Sequence, residues 1–282
     1  MATRIKTVAV CAGDYMRVHI FPVRNYNGGR RLKRFKPSSE AQARYNRKRA
    51  AMYFADLLHE NFTENDYALR LSYDGIDVDI EMAERAFKNW LRRLKRAFKK
   101  KGVELRAMWK TERGKNGGRV HHHVVINACE GVTDDQRAMR GIWNNGGFGG
   151  TSFVYIAPLE FNTNADGGFE DGGLTGLAKY LVFDDTPGKE KITACRYGRT
   201  RNLREPQVRE VIGELTAKEA SYINETQDAS LLEELYEGYT VRSVVPEVYD
   251  EESENARYCT GLFTVVYLQR KEMVFNCVSK RR

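Results

Sequence analysis

Apolar residues recur along the chain with two periods, one typical of strands and the other typical of helices. Alternation with period two, bounded by turn residues, predicts strands at 5–13, 15–23, 67–73, 105–112, 119–127, 152–156 and 262–268. Spacing of three and four residues predicts helices at 40–59, 79–101, 174–182, 216–222 and 229–236. We therefore predict an α+β fold, built on a central antiparallel β-sheet with helices packed on one of its faces.

One helix and one hairpin have the clearest sequence signals. The helix at 79–101 ends in Lys100-Lys101-Gly102, with cations in the last turn and glycine just past the end. Between Arg85 and Lys101 it carries nine Lys or Arg and no acid, which indicates either a solvated face or a surface that contacts DNA. Strands 105–112 and 119–127 flank a glycine-rich turn, so we place this hairpin at the middle of the sheet.

The charge of the chain is unevenly distributed. The 282 residues include 46 Lys or Arg and 38 Asp or Glu, for a net charge of +8. Residues 205–254 hold 14 acidic and three basic residues, or −11, so the remainder of the chain carries +19. A basic portion of this size points to a polyanionic partner, with nucleic acid ahead of a membrane surface. We predict three segments: a basic N-terminal extension (1–62), a core (63–205) and an acidic C-terminal helical region with a final strand (206–282).

The spacing of the cysteines and the lengths of the apolar runs indicate the cellular compartment in which the protein works. Five cysteines lie far apart and form no CxxC pair, which disfavours a disulfide framework or a cysteine-based zinc site. No apolar run approaches the roughly 20 residues that span a bilayer. The first residues also lack the apolar region and cleavage site of a secretory signal. We therefore expect a protein of the reducing cytoplasm with no membrane partner.

Three of the five histidines are consecutive, at His121-His122-His123 in a predicted strand. Side chains alternate across a strand, so His121 and His123 share one face, about 7 Å apart, and His122 takes the other. If residue 112 pairs with residue 119, Glu112 lies diagonal to His121 on the same face, whereas a slip of one residue would turn it away. Two histidines and a carboxylate with open positions suit a catalytic Mg²⁺ or Mn²⁺. The alternative is a pair of ordinary sheet residues or an adventitious metal site.

A second candidate lies on the short helix at 174–182, after a glycine-rich loop. Tyr180 follows Lys179 there, and a tyrosine can act as a nucleophile. Its phenol has a reference pKa near 10, so attack on phosphorus needs help. A metal that polarises the phosphate, or Lys179 lowering the pKa of the phenol, could supply it. The alternative is a half-buried aromatic side chain, one of 15 tyrosines in the chain.

These two motifs together resemble those of a known family. The run GRVHHHVVI (118–126) is followed by GLAKY (176–180), with the tyrosine 57 residues after the last histidine. This arrangement resembles the HUH endonuclease superfamily, and specifically the rolling-circle replication initiators (Rep proteins) of bacterial plasmids and phages. The strand at 69–73 with Asp74-Gly75, the basic lead at 34–62 and the segment 199–206 are also similar to regions of these proteins. The resemblance therefore covers about residues 30 to 206.

The resemblance implies a fold, a chemistry and a set of partners. It implies a sheet of the HUH type, similar to that of RNA-recognition domains, on which His121, His123 and Glu112 hold Mg²⁺ or Mn²⁺. Tyr180 would attack a DNA phosphate, giving a 5′-phosphotyrosine link and a free 3′-OH that primes replication and can rejoin the strand. The implied partners are single-stranded DNA or an origin hairpin, and host helicase and replication proteins of the bacterial cytoplasm.

Two positions depart from the pattern of the family. The middle residue of the histidine motif is usually bulky and hydrophobic but here is His122. A His121/His122 metal pair therefore stays open, although strand alternation favours His121 with His123. Relatives often carry a lysine three or four residues after the tyrosine, and this chain has none there. Lys179 would substitute for it, or Lys189 would reach in from the next loop.

Four cations near these motifs are candidates for DNA contact: Lys110, Arg119, Arg199 and Arg201. Lys110 and Arg119 flank the metal face of the hairpin, where cross-strand pairing with Glu112 is the simpler alternative. Arg199 and Arg201 could follow the DNA backbone or form ion pairs with the acidic region.

The function that we predict is single-strand DNA nicking and rejoining that initiates rolling-circle replication. One alternative is a relaxase or single-strand transposase with the same chemistry. The other is a non-catalytic nucleic-acid-binding protein whose histidines are structural.

Overall fold

The computed structural model describes residues 4–23, 39–73, 78–114, 118–144, 154–161, 172–182, 197–246 and 263–271, with only the backbone at 39–45. The chain divides into two units. The central unit is Ser38–Glu205, and the terminal unit combines Met1–Pro37 with Pro206–Arg282. This grouping differs from the three consecutive segments that the sequence suggested. The helix that follows residue 38 lies in the central unit, and the N-terminal strands join the C-terminal ones.

The described strands and helices follow one another in the order β1 (Arg4–Ala12), β2 (Tyr15–Val23), α1 (Ser39–Asn61), β3 (Tyr67–Ser72), α2 (Ile80–Lys100), β4 (Ala107–Arg113), β5 (Val120–Ile126), α3 (Gln136–Asn144), β6 (Val154–Pro158), α4 (Gly173–Val182), β7 (Gly198–Arg199), β8 (Gln207–Ile212), α5 (Ala217–Thr226), α6 (Ser230–Leu235), β9 (Tyr239–Pro246) and β10 (Thr264–Arg270). Every predicted element has a counterpart among them, and α3, β7, β8 and β9 were not predicted. The fold is α+β, as predicted. Within these residues, no helix combines the length and the apolar character that a bilayer span requires.

The terminal unit is built on a five-stranded antiparallel sheet with the strand order β8-β1-β2-β10-β9. Strands β1 and β2 form the predicted hairpin, which turns at Gly13 with φ at 59°, a value that favours glycine. Helices α5 and α6 pack on this sheet around a core that includes Ile20 and Leu232. The acidic region is therefore not only helical, because β8 and β9 come from it. Strand β8 escaped prediction because it is an exposed edge strand, which has no buried face to impose apolar alternation.

The central unit has a second five-stranded antiparallel sheet, with the strand order β6-β3-β5-β4-β7. The hairpin of β4 and β5 lies at its middle, as predicted. Val120, Val124 and Ile126 of β5 face the core shared with α2 and α3, whereas Val125 faces the core shared with α1 and α4. Helices therefore pack on both faces of this sheet, and the prediction of one covered face was wrong. The physical reason is that the face of Val125 also carries Met108 and Ala68, which give α1 and α4 an apolar surface to cover.

Helix α2 begins and ends where the sequence signals lie. The carboxylate of Asp79 caps it by accepting a 2.8 Å hydrogen bond from the backbone N–H of Met82. Gly102, just past the C-terminus, has φ at 72°, the left-handed value that a β-carbon disfavours. The inward face of the helix is buried, and it consists of Ala83, Ala86, Phe87, Trp90, Leu94 and Phe98. Its basic positions lie mostly on the exposed side.

Candidate metal centre and neighbouring tyrosine

Strand pairing brings three metal-ligand side chains together on one face of the central sheet. Glu112 of β4 pairs directly with His121 of β5, and His123 follows two residues later on the same face. The Oε1 atom of Glu112 lies 3.1 Å from Nε2 of His121 and 3.1 Å from Nε2 of His123. One ligand atom from each of the three side chains lies within 4.8 Å of the other two. We call these three residues the Glu-His-His cluster.

The observed register of the hairpin differs from the predicted one. Residue 112 pairs with His121 rather than with Arg119, which lies opposite Gly114 and accepts its backbone N–H at 3.1 Å. The difference of two residues keeps Glu112 on the histidine face and moves it from a diagonal to a directly opposite position. The predicted register was wrong because a glycine-rich turn does not determine how many of its residues extend the ladder.

The cluster is buried, and one imidazole has a defined orientation. Glu112 and His121 are each 5% exposed, and His123 is partly exposed. Nδ1 of His121 lies 3.1 Å from the backbone carbonyl oxygen of Arg119. Because a carbonyl oxygen only accepts, Nδ1 donates this hydrogen bond, which fixes the orientation of the ring with Nε2 directed at the cluster. Two imidazole nitrogens and a carboxylate oxygen converge, a donor set that fits a divalent cation with positions left for other ligands.

Charges around the cluster favour its metal-binding protonation states. Burial raises the pKa of Glu112, but hydrogen-bond contacts with His121 and His123 and the charge of Lys110 outweigh it, so the pKa is well below its usual value. Burial lowers the pKa of His123, against the opposing effect of Glu112. Glu112 is therefore a carboxylate and His123 a neutral imidazole at neutral pH, which are the forms that bind metals.

His122 lies on the opposite face and has a structural environment. Its Nε2 is 2.9 Å from the Tyr73 hydroxyl and its Nδ1 is 2.8 Å from the Thr111 hydroxyl. Its ring stacks on that of Phe87 with 4.7 Å between centroids. Burial lowers the pKa of His122 to about 3, so it is neutral. His122 thus fills a core position that a hydrophobic residue would fill, and the His121/His122 ligand pair is not formed.

Tyr180 lies beside the cluster, at the end of α4. Its ring centroid is 5.6 Å from that of His123, with the two planes at 86°. The side chain is 53% exposed, although the rest of the last turn is mostly buried against α1 and the sheet. The structure therefore brings the tyrosine predicted from the second motif to the histidines predicted from the first.

Lys110 makes direct contacts with both the cluster and α4. Its ammonium group lies 3.5 Å from Oε2 of Glu112 and donates a hydrogen bond to the backbone carbonyl of Leu181. A cation at this position satisfies a carbonyl that the end of a helix leaves without an intrahelical partner. Lys179 neighbours Tyr180 in sequence and is partly exposed, and consecutive helix positions do not face each other. The alternative lysine, Lys189, lies outside the described residues.

The predicted DNA-contacting arginines have different surroundings. Arg119 is exposed at the start of β5, next to the cluster. Arg199 forms a 2.8 Å ion pair with Glu205 and lies over the ring of Tyr53, 5.7 Å from its centroid. One of the alternatives for Arg199, pairing with the first acid of the acidic region, is thus the arrangement observed. Arg201 is exposed in the turn after β7.

Two exposed residues on the cluster face were missed by the sequence reasoning. Arg70 of β3 lies directly opposite His123 in the sheet, and Tyr155 of β6 lies directly opposite Arg70. Neither belongs to a recognisable motif. Their alignment with the cluster depends on strand pairings between distant segments, so no local pattern could have revealed it.

One comparison with known families gave a match within the central unit. Residues 66–157 match a family of replication-associated proteins, the one described as Replication-associated protein ORF2. The matched segment is about a third of the chain, contains the Glu-His-His cluster and ends before Tyr180. The comparisons with curated proteins and with solved structures found no match. The family match is consistent with a replication initiator, and it implies interaction with nucleic acid.

Proposed function

We propose that this protein is a metal-dependent DNA nickase and strand transferase that initiates rolling-circle replication with Tyr180 as its nucleophile. The observation that carries the proposal is the contact between the rings of Tyr180 and His123 beside the buried Glu-His-His cluster. The match of residues 66–157 to a replication-associated family supports the role in replication.

The reaction that we propose exchanges one phosphodiester for another. The phenolic oxygen of Tyr180 bonds to the scissile phosphorus as the bond from phosphorus to the 3′ oxygen breaks. The phenol loses one proton and the departing 3′ oxygen gains one, so the products are a 5′-phosphotyrosine and a free 3′-OH. Because the covalent link retains the energy of the phosphodiester, the 3′-OH can reverse the step and rejoin the strand. The exposure of Tyr180 supports this role, since a DNA strand must reach its hydroxyl.

His121, His123 and Glu112 would hold Mg²⁺ or Mn²⁺ in this reaction. Such an ion, when bound, stabilises negative charge on the phosphoryl oxygens. Glu112 is a carboxylate and His123 a neutral imidazole at neutral pH, so these two side chains are in the charge states that metal binding requires. The carbonyl of Arg119 holds the imidazole of His121 in the orientation that this binding needs.

Nearby cations would position α4, stabilise the phenolate and contact DNA phosphates. We assign to Lys110 the positioning of α4, through Leu181, and to Lys179 the stabilisation of the Tyr180 phenolate. Lys110, Arg119 and Arg201 would contact phosphates of single-stranded DNA or an origin hairpin, and Arg199 would do so on release from Glu205. Host helicase and replication proteins of the bacterial cytoplasm would then extend from the free 3′-OH.

A covalent-adduct assay tests this function. The protein is incubated with single-stranded DNA that carries the intergenic sequence upstream of its own gene, in the presence of Mn²⁺, and is run on a denaturing gel. Wild type should form a protein–DNA adduct, and Tyr180→Phe should not. Tyr222→Phe is a matched control, because Tyr222 is also 53% exposed but lies in the terminal unit, and it should form the adduct normally.

Three outcomes would contradict the proposal in whole or in part. An adduct that persists in Tyr180→Phe would assign the nucleophile to another residue. Binding of DNA without an adduct, on origin sequences from both strands, would indicate a binding protein with structural histidines. In the third outcome, the protein cleaves and transfers strands between two DNA molecules yet fails to replicate a plasmid that carries the origin. That result would favour a relaxase or transposase.

A further inference from the structure

We propose that Arg70 and Tyr155 form a binding subsite for single-stranded DNA next to the Glu-His-His cluster. In this subsite Arg70 contacts the phosphate adjacent to the scissile one, and Tyr155 stacks on an unpaired base. The inference rests on the proposed function in one respect, since it takes the bound strand to be the one that Tyr180 cleaves.

The strand pairing aligns these residues in one row. Lys110 of β4, His123 of β5, Arg70 of β3 and Tyr155 of β6 are successive cross-strand partners. Residues paired across antiparallel strands point to the same face, so Arg70 and Tyr155 lie on the face that carries the cluster. With strands about 4.8 Å apart, Tyr155 is about 10 Å from His123 across the sheet, a span of one or two nucleotides.

The two side chains are accessible to a ligand. Tyr155 is 53% exposed and Arg70 is also exposed, whereas the row through Val125 and Met108 is buried beneath α1 and α4. In the described part of the chain, neither the guanidinium of Arg70 nor the hydroxyl of Tyr155 has a hydrogen bond or ion pair.

The chemistry of this pair favours a single strand over a duplex. A guanidinium binds phosphate through several N–H donors, and an exposed aromatic ring stacks on any base whose face is free. The bases of a duplex already stack on each other, so they could not use Tyr155.

Binding of a labelled single-stranded oligodeoxynucleotide, measured by fluorescence anisotropy in EDTA, tests the subsite without catalysis. Tyr155→Ala should weaken binding about tenfold, within the range known for loss of one base stack, while Tyr155→Phe should bind within about twofold of wild type. Arg70→Gln should also weaken binding, and should reduce the slope of log K against log salt by about 0.7, the value for one phosphate contact on a single strand. Tyr222→Ala and Arg137→Gln are controls, because the first removes an equally exposed tyrosine of the terminal unit and the second removes an equal charge from α3, which packs on the opposite face of the central sheet.

The outcomes separate this inference from the proposed nicking reaction. Unchanged affinity in Tyr155→Ala and Arg70→Gln, or the same loss in the two controls, would overturn the subsite even if wild type forms the Tyr180 adduct. Selective loss of affinity in both variants would support the subsite even if no adduct forms. Equal effects on duplex DNA of the same sequence would overturn the assignment to a single strand. Circular dichroism of each variant verifies folding, and Arg70→Gln, with its expected change in salt slope, keeps the test valid if Tyr155→Ala unfolds.

Discussion

His123 and Tyr180 meet edge to face, with 5.6 Å between ring centroids, although they come from a central strand and from a helix 57 residues later. The contact joins the two motifs that the sequence presents separately. It depends on the packing of α4 against α1 and the sheet, and on the hydrogen bond from Lys110 to Leu181. Because the metal ligands and the tyrosine belong to different elements, single substitutions should change metal binding and adduct formation independently.

Metal binding and covalent chemistry should respond differently to single substitutions. Tyr180→Phe keeps the ring beside His123, so its Mn²⁺ affinity by calorimetry should stay within about twofold of wild type while the adduct disappears. His121→Ala removes a ligand atom and should weaken Mn²⁺ binding by at least about tenfold. At a Mn²⁺ concentration of about 100 times the wild-type Kd, wild type should gain about 2.7 kcal/mol of unfolding free energy over the EDTA form, and His121→Ala should gain at most about 1.4 kcal/mol. An equal gain in both proteins would show that the ion binds elsewhere.

His122 should determine stability rather than metal affinity. Replacing it with alanine leaves a cavity beside Phe87 and removes the partner of the Tyr73 and Thr111 hydroxyls. We expect His122→Ala to lose about 3 kcal/mol of unfolding free energy in urea denaturation. Under conditions where the variant is folded, its Mn²⁺ affinity should match that of wild type. Loss of Mn²⁺ binding without loss of stability would instead make His122 a ligand.

Local periodicity was sufficient to predict most of the described elements, because alternation and helical spacing are properties of short segments. The amphipathic face of α2 and the alternation of His121 and His123 follow from such spacing alone. Strand β8 could not be predicted in this way, since its residues Val208 and Ile212 are exposed at a sheet edge. Its partner is β1, about 200 residues earlier, and pairing over that distance has no local signature.

The candidate site was predictable as far as its motifs extend. His121, His123 and Tyr180 belong to recognisable runs, and Glu112 follows once a hairpin is assumed. Which residue of β5 pairs with Glu112 depends on the register of the hairpin, and the sequence of the turn did not determine that register. Arg70 lies at an exposed position of an otherwise ordinary alternating strand, so nothing in its own segment distinguishes it from a solvated surface residue.

Lys110 should matter more than Lys179 for the position of α4. In Lys110→Met the carbonyl of Leu181 and the carboxylate of Glu112 both lose a charged partner, and we expect a loss of about 2 kcal/mol of unfolding free energy. The rate of adduct formation should fall as the last turn of α4 loosens. Lys179→Met is the matched control and should cost less stability. Lys179→Met should also slow adduct formation, because Lys179 is assigned to the Tyr180 phenolate, but without the loss of stability. Unchanged stability and an unchanged rate of adduct formation in Lys110→Met would contradict the positioning role of Lys110.

Stability should fall between pH 7.5 and pH 5 in EDTA. Burial lowers the pKa of both His59 and His122 to about 3, below the unfolded value of 6.5. The unfolded chain therefore binds more protons than the folded one between pH 6.5 and about 3, so stability decreases as pH falls through this window. Each of these histidines accounts for about 2 kcal/mol at pH 5, from 1.36 kcal/mol per pH unit. His59→Leu should remove about 2 kcal/mol of this pH dependence in urea denaturation at several pH values, and an unchanged slope would contradict the assignment.

Gly198 should be required for the pairing of β7 with β4. It lies opposite Trp109, and a β-carbon at this position would overlap the indole ring. Gly198→Ala should therefore lose about 2 kcal/mol of unfolding free energy, since the ring or the strand must shift to relieve the overlap. The shift would also move the neighbouring Arg199 away from Glu205 and Tyr53. Gly141→Ala in α3 is a matched control, because a β-carbon there has no atom within 4 Å and should add about 0.5–1 kcal/mol through helix propensity. Equal stability of the two variants in urea denaturation would show that β7 does not depend on the close approach of Gly198 to Trp109.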